Sequence, residues 1–159
     1  MIHPPIVIEN LLPTGAIFEI QHAREKKVLW SSWLEAGTAK PIHTVLLDQP
    51  LVLVINLKYC RTPEGLLFHN PPDNNVAKNL LLSVEGIVNG LENRDISVIL
   101  EDTVGQKLSL KIEKNQGGGG QYHLVAYCPF WIVNSSQYSF RIREEGRISL
   151  PAGTVTSQK

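Results

Sequence analysis

Five histidines and two cysteines carry the side chains best suited to hold a metal or power a nucleophile, and their spacing supports neither role. His3, His22, His43, His69 and His123 are scattered along the 159 residues, and neither Cys60 nor Cys128 lies within two to four residues of a histidine. A zinc site draws its ligands from closely spaced Cys and His pairs, so none is expected. Gly117 to Gly120 is followed by Gln-Tyr-His rather than Gly-Lys-Ser/Thr, which removes the phosphate-cradling reading of a glycine run. There is no Gly-x-Ser-x-Gly elbow, and nothing in the spacing gives His43 and Asp48 a serine to activate. The expectation is a chain with no catalytic residues, no metal and no cofactor.

Charge narrows the partners further. Lys and Arg number 15 and Asp and Glu number 15, giving a formal net charge of zero, and the basic residues are dispersed. Nucleic acid and anionic lipid both select a basic patch or stripe, so neither is an expected partner. The two cysteines are too few and too far apart for a disulfide framework and fit reduced structural thiols. Met1-Ile-His-Pro-Pro5 has no basic segment leading an apolar run, and the longest such run, Leu51 to Ile55, is of strand length. A cytoplasmic setting is the default expectation. Asn134-Ser-Ser136 spells a glycosylation sequon that is expected to go unused there. The chain opens on a strand and closes on the polar stretch Thr154 to Lys159, as a piece of a longer protein would.

What does recur is an element near each end. Pro5-Ile-Val-Ile-Glu-Asn10 aligns with Pro129-Phe-Trp-Ile-Val-Asn134, at an offset of 124 residues. Phe18-x-Ile20 follows the first copy and Phe140-x-Ile142 the second. An asparagine at the end of a strand has a short amide that both donates and accepts, and it bonds readily to nearby backbone in an Asx-type turn. Asn10 and Asn134 are either such markers, each holding buried backbone groups whose loss costs about 1–3 kcal/mol, or ordinary turn asparagines. Trp131, Tyr138 and Phe140, with Trp30 and Trp33, either line a groove or belong to a core.

With Tyr127-Cys-Pro-Phe-Trp-Ile-Val-Asn-Ser-Ser136 beside Pro5-Ile-Val-Ile-Glu-Asn-Leu-Leu-Pro13, the chain resembles the β-rich repeats of the adaptor-binding domain in the vacuolar protein sorting thirteen family of bridge-like lipid transfer proteins. The resemblance implies one repeat from about residue 4 to 127, the opening hairpin of a following repeat from about 128 to 150, and a tail over 151–159. It further implies docking of Pro-x-Pro motifs of adaptor proteins, contact with neighbouring repeats, and an indirect, adaptor-mediated place at organelle membranes. Asn10 and Asn134 match the family's marker positions, and Trp131, Tyr138 and Phe140 are the aromatic binding candidates. Ser135-Ser136, where Lys-Thr is commoner, and the glycine run depart from the pattern. Two other readings stay open: a peripheral membrane-binding β-sandwich, and a purely architectural repeat.

The elements that must position these residues are short strands between turn residues. Pro5 to Glu9, Pro13-Thr14-Gly15 and Ala16 to Ile20 read as a hairpin. Further strands are expected at Lys27 to Trp30, Ile42 to Leu47, Leu51 to Leu57 and Asn79 to Val84. Ile96, Val98 and Leu100 alternate, as do Leu108, Leu110 and Ile112, and Asp102-Thr-Val-Gly105 is placed to join them as an antiparallel pair. Leu51 to Ile55 is apolar at every position, the pattern of a strand covered on both faces. Asn70 to Asn75 and Gln116 to Gln121 read as surface loops. Glu144-Glu145 with Arg141 and Arg143 read as a solvated strand face. The expected fold is an all-β, antiparallel β-sandwich.

Overall fold

The computed structural model describes residues 5–58, 60–61, 65–71, 87–105, 107–130 and 137–138. The chain divides into two units, Met1–Pro129 and Phe130–Lys159. The first is built from eleven described strands, with no α-helix among the described residues. They are β1 Ile6–Asn10, β2 Ala16–His22, β3 Val28–Leu34, β4 Thr38–Ile42, β5 Leu51–Asn56, β6 Cys60–Arg61, β7 Gly65–His69, β8 Ile87–Asn89, β9 Asp95–Asp102, β10 Lys107–Gln116 and β11 Tyr122–Tyr127. The hydrogen-bonded path runs β3-β2-β5-β6-β9-β10-β11-β1-β4, with β7 branching from β5 and carrying β8.

Alternation explains how this path folds over a single core. Ile6 and Ile8 of β1, Phe18 and Ile20 of β2, Ile96, Val98 and Leu100 of β9, Leu110 and Ile112 of β10, and Leu124 and Ala126 of β11 all point inward. Intervening residues such as Glu101 and Lys107 stay at the surface. Each buried aliphatic side chain contributes about 1.5–3 kcal/mol. The inner faces of the β3-β2-β5 part and the β9-β10-β11-β1 part share that core, giving a β-sandwich rather than a closed barrel. Most pairs are antiparallel; β1 with β11 and β7 with β8 are parallel.

The β9–β10 pair forms as its alternation implies, with Leu100 opposite Leu108 and Ile96 opposite Ile112. Asp102 closes the turn by accepting from Val104 N at 2.8 Å through its carboxylate, and Gly105 takes a φ of 85° that suits glycine. Leu51, Leu53 and Ile55 of β5 enter the main core, while Val52 packs with Ala23 and Leu67 on the other face. A strand apolar throughout is therefore covered on both sides. Gly65 permits this layering, since a β-carbon there would lie 2.1 Å from Val52 Cγ1.

Two expectations are corrected. Residues 5–20 do not form a hairpin: β1 pairs with β11 and β4, whereas β2 pairs with β3 and β5. Residues 11–15 instead arch across the core, which lets both strands bury their apolar faces from opposite layers. The strand expected at Ile42 to Leu47 lies earlier, at Thr38–Ile42. It ends the path as an edge strand, exposed except at Ile42, so no apolar alternation marks it. Pro41 is tolerated there because an edge strand has one side that makes no ladder bond. Beyond β4, Val45 turns into the core and Leu46 to solvent. The stretch Asn79 to Val84, most of the 70–75 loop, and residues 141–145 lie outside the described residues.

The ring of Tyr122 sits between Phe68 and His69, and its hydroxyl donates to His69 Nδ1 at 2.9 Å while His69 Nε2 donates to Leu47 O at 2.8 Å. Burial pushes the Tyr122 phenol above its ordinary value, so the folded state holds that proton more tightly than the unfolded chain. The contribution of the neutral phenol is complete below a pH of about 10 and declines as pH rises toward the folded value. We expect stability measured by urea unfolding to fall across that alkaline window, and Tyr122→Phe to remove this part of the slope. The same variant leaves a His69 nitrogen without its donor, costing about 1–3 kcal/mol near neutral pH. In the core, Leu100→Ala is expected to cost about 2–5 kcal/mol, read as a lower urea midpoint at an unchanged slope.

Candidate functional site

The first copy of the recurring element ends at Asn10, whose side chain is fully buried. Both hydrogens of its amide are engaged: Nδ2 donates to Thr14 O at 3.1 Å and to Leu34 O at 3.0 Å. Oδ1 accepts from Leu12 N at 3.0 Å, an Asx-type bond two residues on. The backbone carbonyl of Asn10 takes the Gly37 N–H at 2.7 Å, and Leu11 N donates to Ala126 O at 2.9 Å. Asn10 thus ties the 11–15 arch, the end of β3 and the β3–β4 turn together, and Leu11 beside it adds β11. The Asn10 side chain holds backbone groups inside the protein. Because the side chain is enclosed, its influence on any ligand passes through the backbone it holds.

Around that knot the surface is partly apolar. Trp33 of β3 is 48% exposed and stands opposite Ile17 of β2, itself 38% exposed. The indole lies over Gly15 in the arch, where a β-carbon would come within 2.2 Å of the ring, and its Nε1 donates to Glu35 Oε1 at 2.7 Å. Trp30, three residues earlier, is half-buried against the core. β3 and β4 are the two ends of the sheet path, so each presents an edge. Lys40 Nζ of β4 donates to Ser32 Oγ of β3 at 2.7 Å, which places the two edges side by side.

The other candidates divide. Tyr138 belongs to the second unit and is 73% exposed. Asn134, Trp131 and Phe140 lie outside the described residues. Trp33 was legible as an aromatic, but its packing on Gly15 was not, because that contact is set by the β2–β3 register.

Little in the electrostatics suits catalysis. Burial, with the nearby Asp102 carboxylate, pushes the Cys60 thiol up and so keeps it a poor nucleophile. Hydrogen bonds from Asn115 and Arg94 hold Glu113 below its usual value in a surface pair. Burial lowers Lys114, whose ammonium rests on the carbonyls of Gly90 and Leu91. No group of three His, Cys, Asp or Glu side chains placed to hold a metal occurs among the described residues. Among those residues, no helix is long and apolar enough to cross a membrane.

Asn10→Ala is expected to lower stability by about 2–4 kcal/mol, because three buried backbone groups lose their partner. Asn10→Asp should recover little of it, since a carboxylate cannot donate to Thr14 O or Leu34 O. Chemical denaturation of the three proteins checks both expectations.

Comparison with known proteins places these features in a family. The family model described as Vacuolar-sorting associated protein 13, adaptor binding domain, matches residues 1–159. The chain is 26% identical over 144 residues to the Intermembrane lipid transfer protein VPS13 of Chaetomium thermophilum. That alignment takes in 89% of this chain and 4% of the relative.

Proposed function

Because the chain belongs to the adaptor-binding-domain family of Vacuolar-sorting associated protein 13, we propose that it is a non-enzymatic docking module for extended, proline-containing adaptor peptides of the Pro-x-Pro type. The observation that carries this reading is the family match across the whole chain. The geometry is compatible with it. A peptide with prolines at alternate positions cannot run as a helix and lies naturally beside a strand edge or on an aromatic surface. The neighbouring β3 and β4 edges, with Trp33 exposed beside them, offer both.

In this reading Asn10 orders the arch that supports Trp33, and Asn134 serves the same purpose in the second copy of the element, with Trp131, Tyr138 and Phe140 as its aromatic contacts. The first copy opens one repeat and the second opens its successor. Docking then brings a lipid transfer protein to contacts between organelle membranes from the cytoplasmic side, with the adaptor rather than this chain engaging the bilayer. The zero net charge and dispersed basic residues agree with that division of labour.

The test is titration of the chain with a Pro-x-Pro peptide and with a version in which both prolines are replaced. Saturable binding of the first alone is expected; equal behaviour of the two rejects docking by this chain. Liposome flotation separates the membrane-binding alternative, and no recruitment to anionic vesicles is expected. Blank results in both assays, with a stably folded chain, leave the architectural role. Trp33→Ala and Asn134→Ser are each expected to weaken the peptide complex, by about 1–3 kcal/mol if the residue anchors or supports it. Unchanged peptide affinity together with unchanged melting temperature would remove either residue from the site.

A further inference from the structure

We propose that the first unit is a tension-bearing element, in which the parallel pairing of its first and last strands acts as a mechanical clamp. The proposal goes beyond docking and holds whichever ligand the chain takes. β1 and β11 run in the same direction in unbroken register, from Ile6 opposite Tyr122 to Asn10 opposite Ala126. The chain therefore enters the unit at one end of this pair and leaves it at the other. Force applied along the chain draws β1 and β11 past each other lengthwise. In that geometry the ladder bonds are loaded together, whereas strands pulled apart from a shared end break them one at a time.

The surroundings of β1 strengthen this loading. Its other side is held over the same five residues by β4, from Ile42 opposite Ile6 to Thr38 opposite Asn10, so β1 cannot leave the sheet alone without losing a second ladder. Two backbone bonds extend the β1–β11 ladder beyond the paired residues, Tyr122 N to Pro5 O and Leu11 N to Ala126 O, each 2.9 Å. Across the pair His123 Nε2 and Glu9 Oε2 lie 2.9 Å apart. At its far end β1 is anchored by the Asn10 amide to Thr14 and Leu34. The alignment covers 4% of the VPS13 relative, so the matching segment of that protein lies within a far longer chain.

The experiment is single-molecule pulling of the whole chain by tags at its two ends, compared with pulling between the N-terminal tag and a handle on exposed His43. His43 follows β4 directly, so the second geometry peels β4 from β1 from a shared end. Forced rupture reports the unfolding rate under load. The event for the first unit is recognised by a length gain of roughly 400 Å, from the Ile6 to Tyr127 stretch at about 3.3–3.6 Å per residue. At one loading rate the end-to-end rupture force is expected to be about threefold higher than the His43 force, as roughly half a dozen ladder bonds share the load. Val98→Ala, in β9 and outside the clamp, is expected to lower the urea midpoint and leave the end-to-end force unchanged. Equal forces in the two geometries, or an end-to-end force that falls in step with the Val98→Ala loss of stability, would overturn the proposal.

Discussion

The amide of Asn10 is the constraint on which the rest of the first unit depends. A chain that passes from one layer of a sandwich to the other must bend its backbone inside the protein, and each polar group in the bend needs a partner. The arch of residues 11–15 does this within reach of one side chain. Two donors and one acceptor on Asn10 meet three backbone groups drawn from the arch and from β3. Serine has one hydroxyl to offer in the same place, and aspartate offers no donor. The composition of the position follows from the count of groups to be satisfied, not from a general liking of turns for asparagine.

That knot also sets where the two ends of the sheet come to rest. Leu34 closes β3, Gly37 ends the turn into β4, and both bond to Asn10, so the edges of β3 and β4 are brought next to each other without joining as a ladder. A sandwich left open at this seam keeps two strand edges available, and exposed edges invite another strand. The Lys40–Ser32 contact and the shortness of β4, with Lys40 and Pro41 in it, temper that exposure. The bend between layers and the open sheet edges are thus consequences of one local solution.

Much of this was readable from residue order, and the failures are instructive. The β9–β10 pair was legible because both partners alternate and a turn of four residues joins them. The two-sided cover of β5 was legible because every residue is apolar. The partner choice of β1 was not: Pro13-Thr14-Gly15 carries ordinary turn chemistry, and nothing local distinguishes a hairpin turn from an arch that changes layers. β4 has no apolar face to read. β7, Gly65-Leu-Leu-Phe-His69, and β11, Tyr122 to Tyr127, passed unremarked although each is a compact apolar run. The β1–β11 pairing spans more than a hundred residues, beyond any periodicity. For the site, Asn10 was legible through its repetition, while the stacking of Trp33 on Gly15 depends on the register of β2 with β3, which no local pattern sets.

The bond from Leu11 to Ala126 has a chemical consequence as well as a structural one. Spontaneous deamidation of an asparagine begins when the following backbone nitrogen attacks the side-chain carbonyl carbon to close a five-membered imide. At Asn10 that nitrogen is held by Ala126, the attacked amide is itself fixed on three sides, and the bulky residue that follows slows ring closure. The asparagine whose conversion to aspartate would undo the arch is thus shielded from the slow ageing of protein amides.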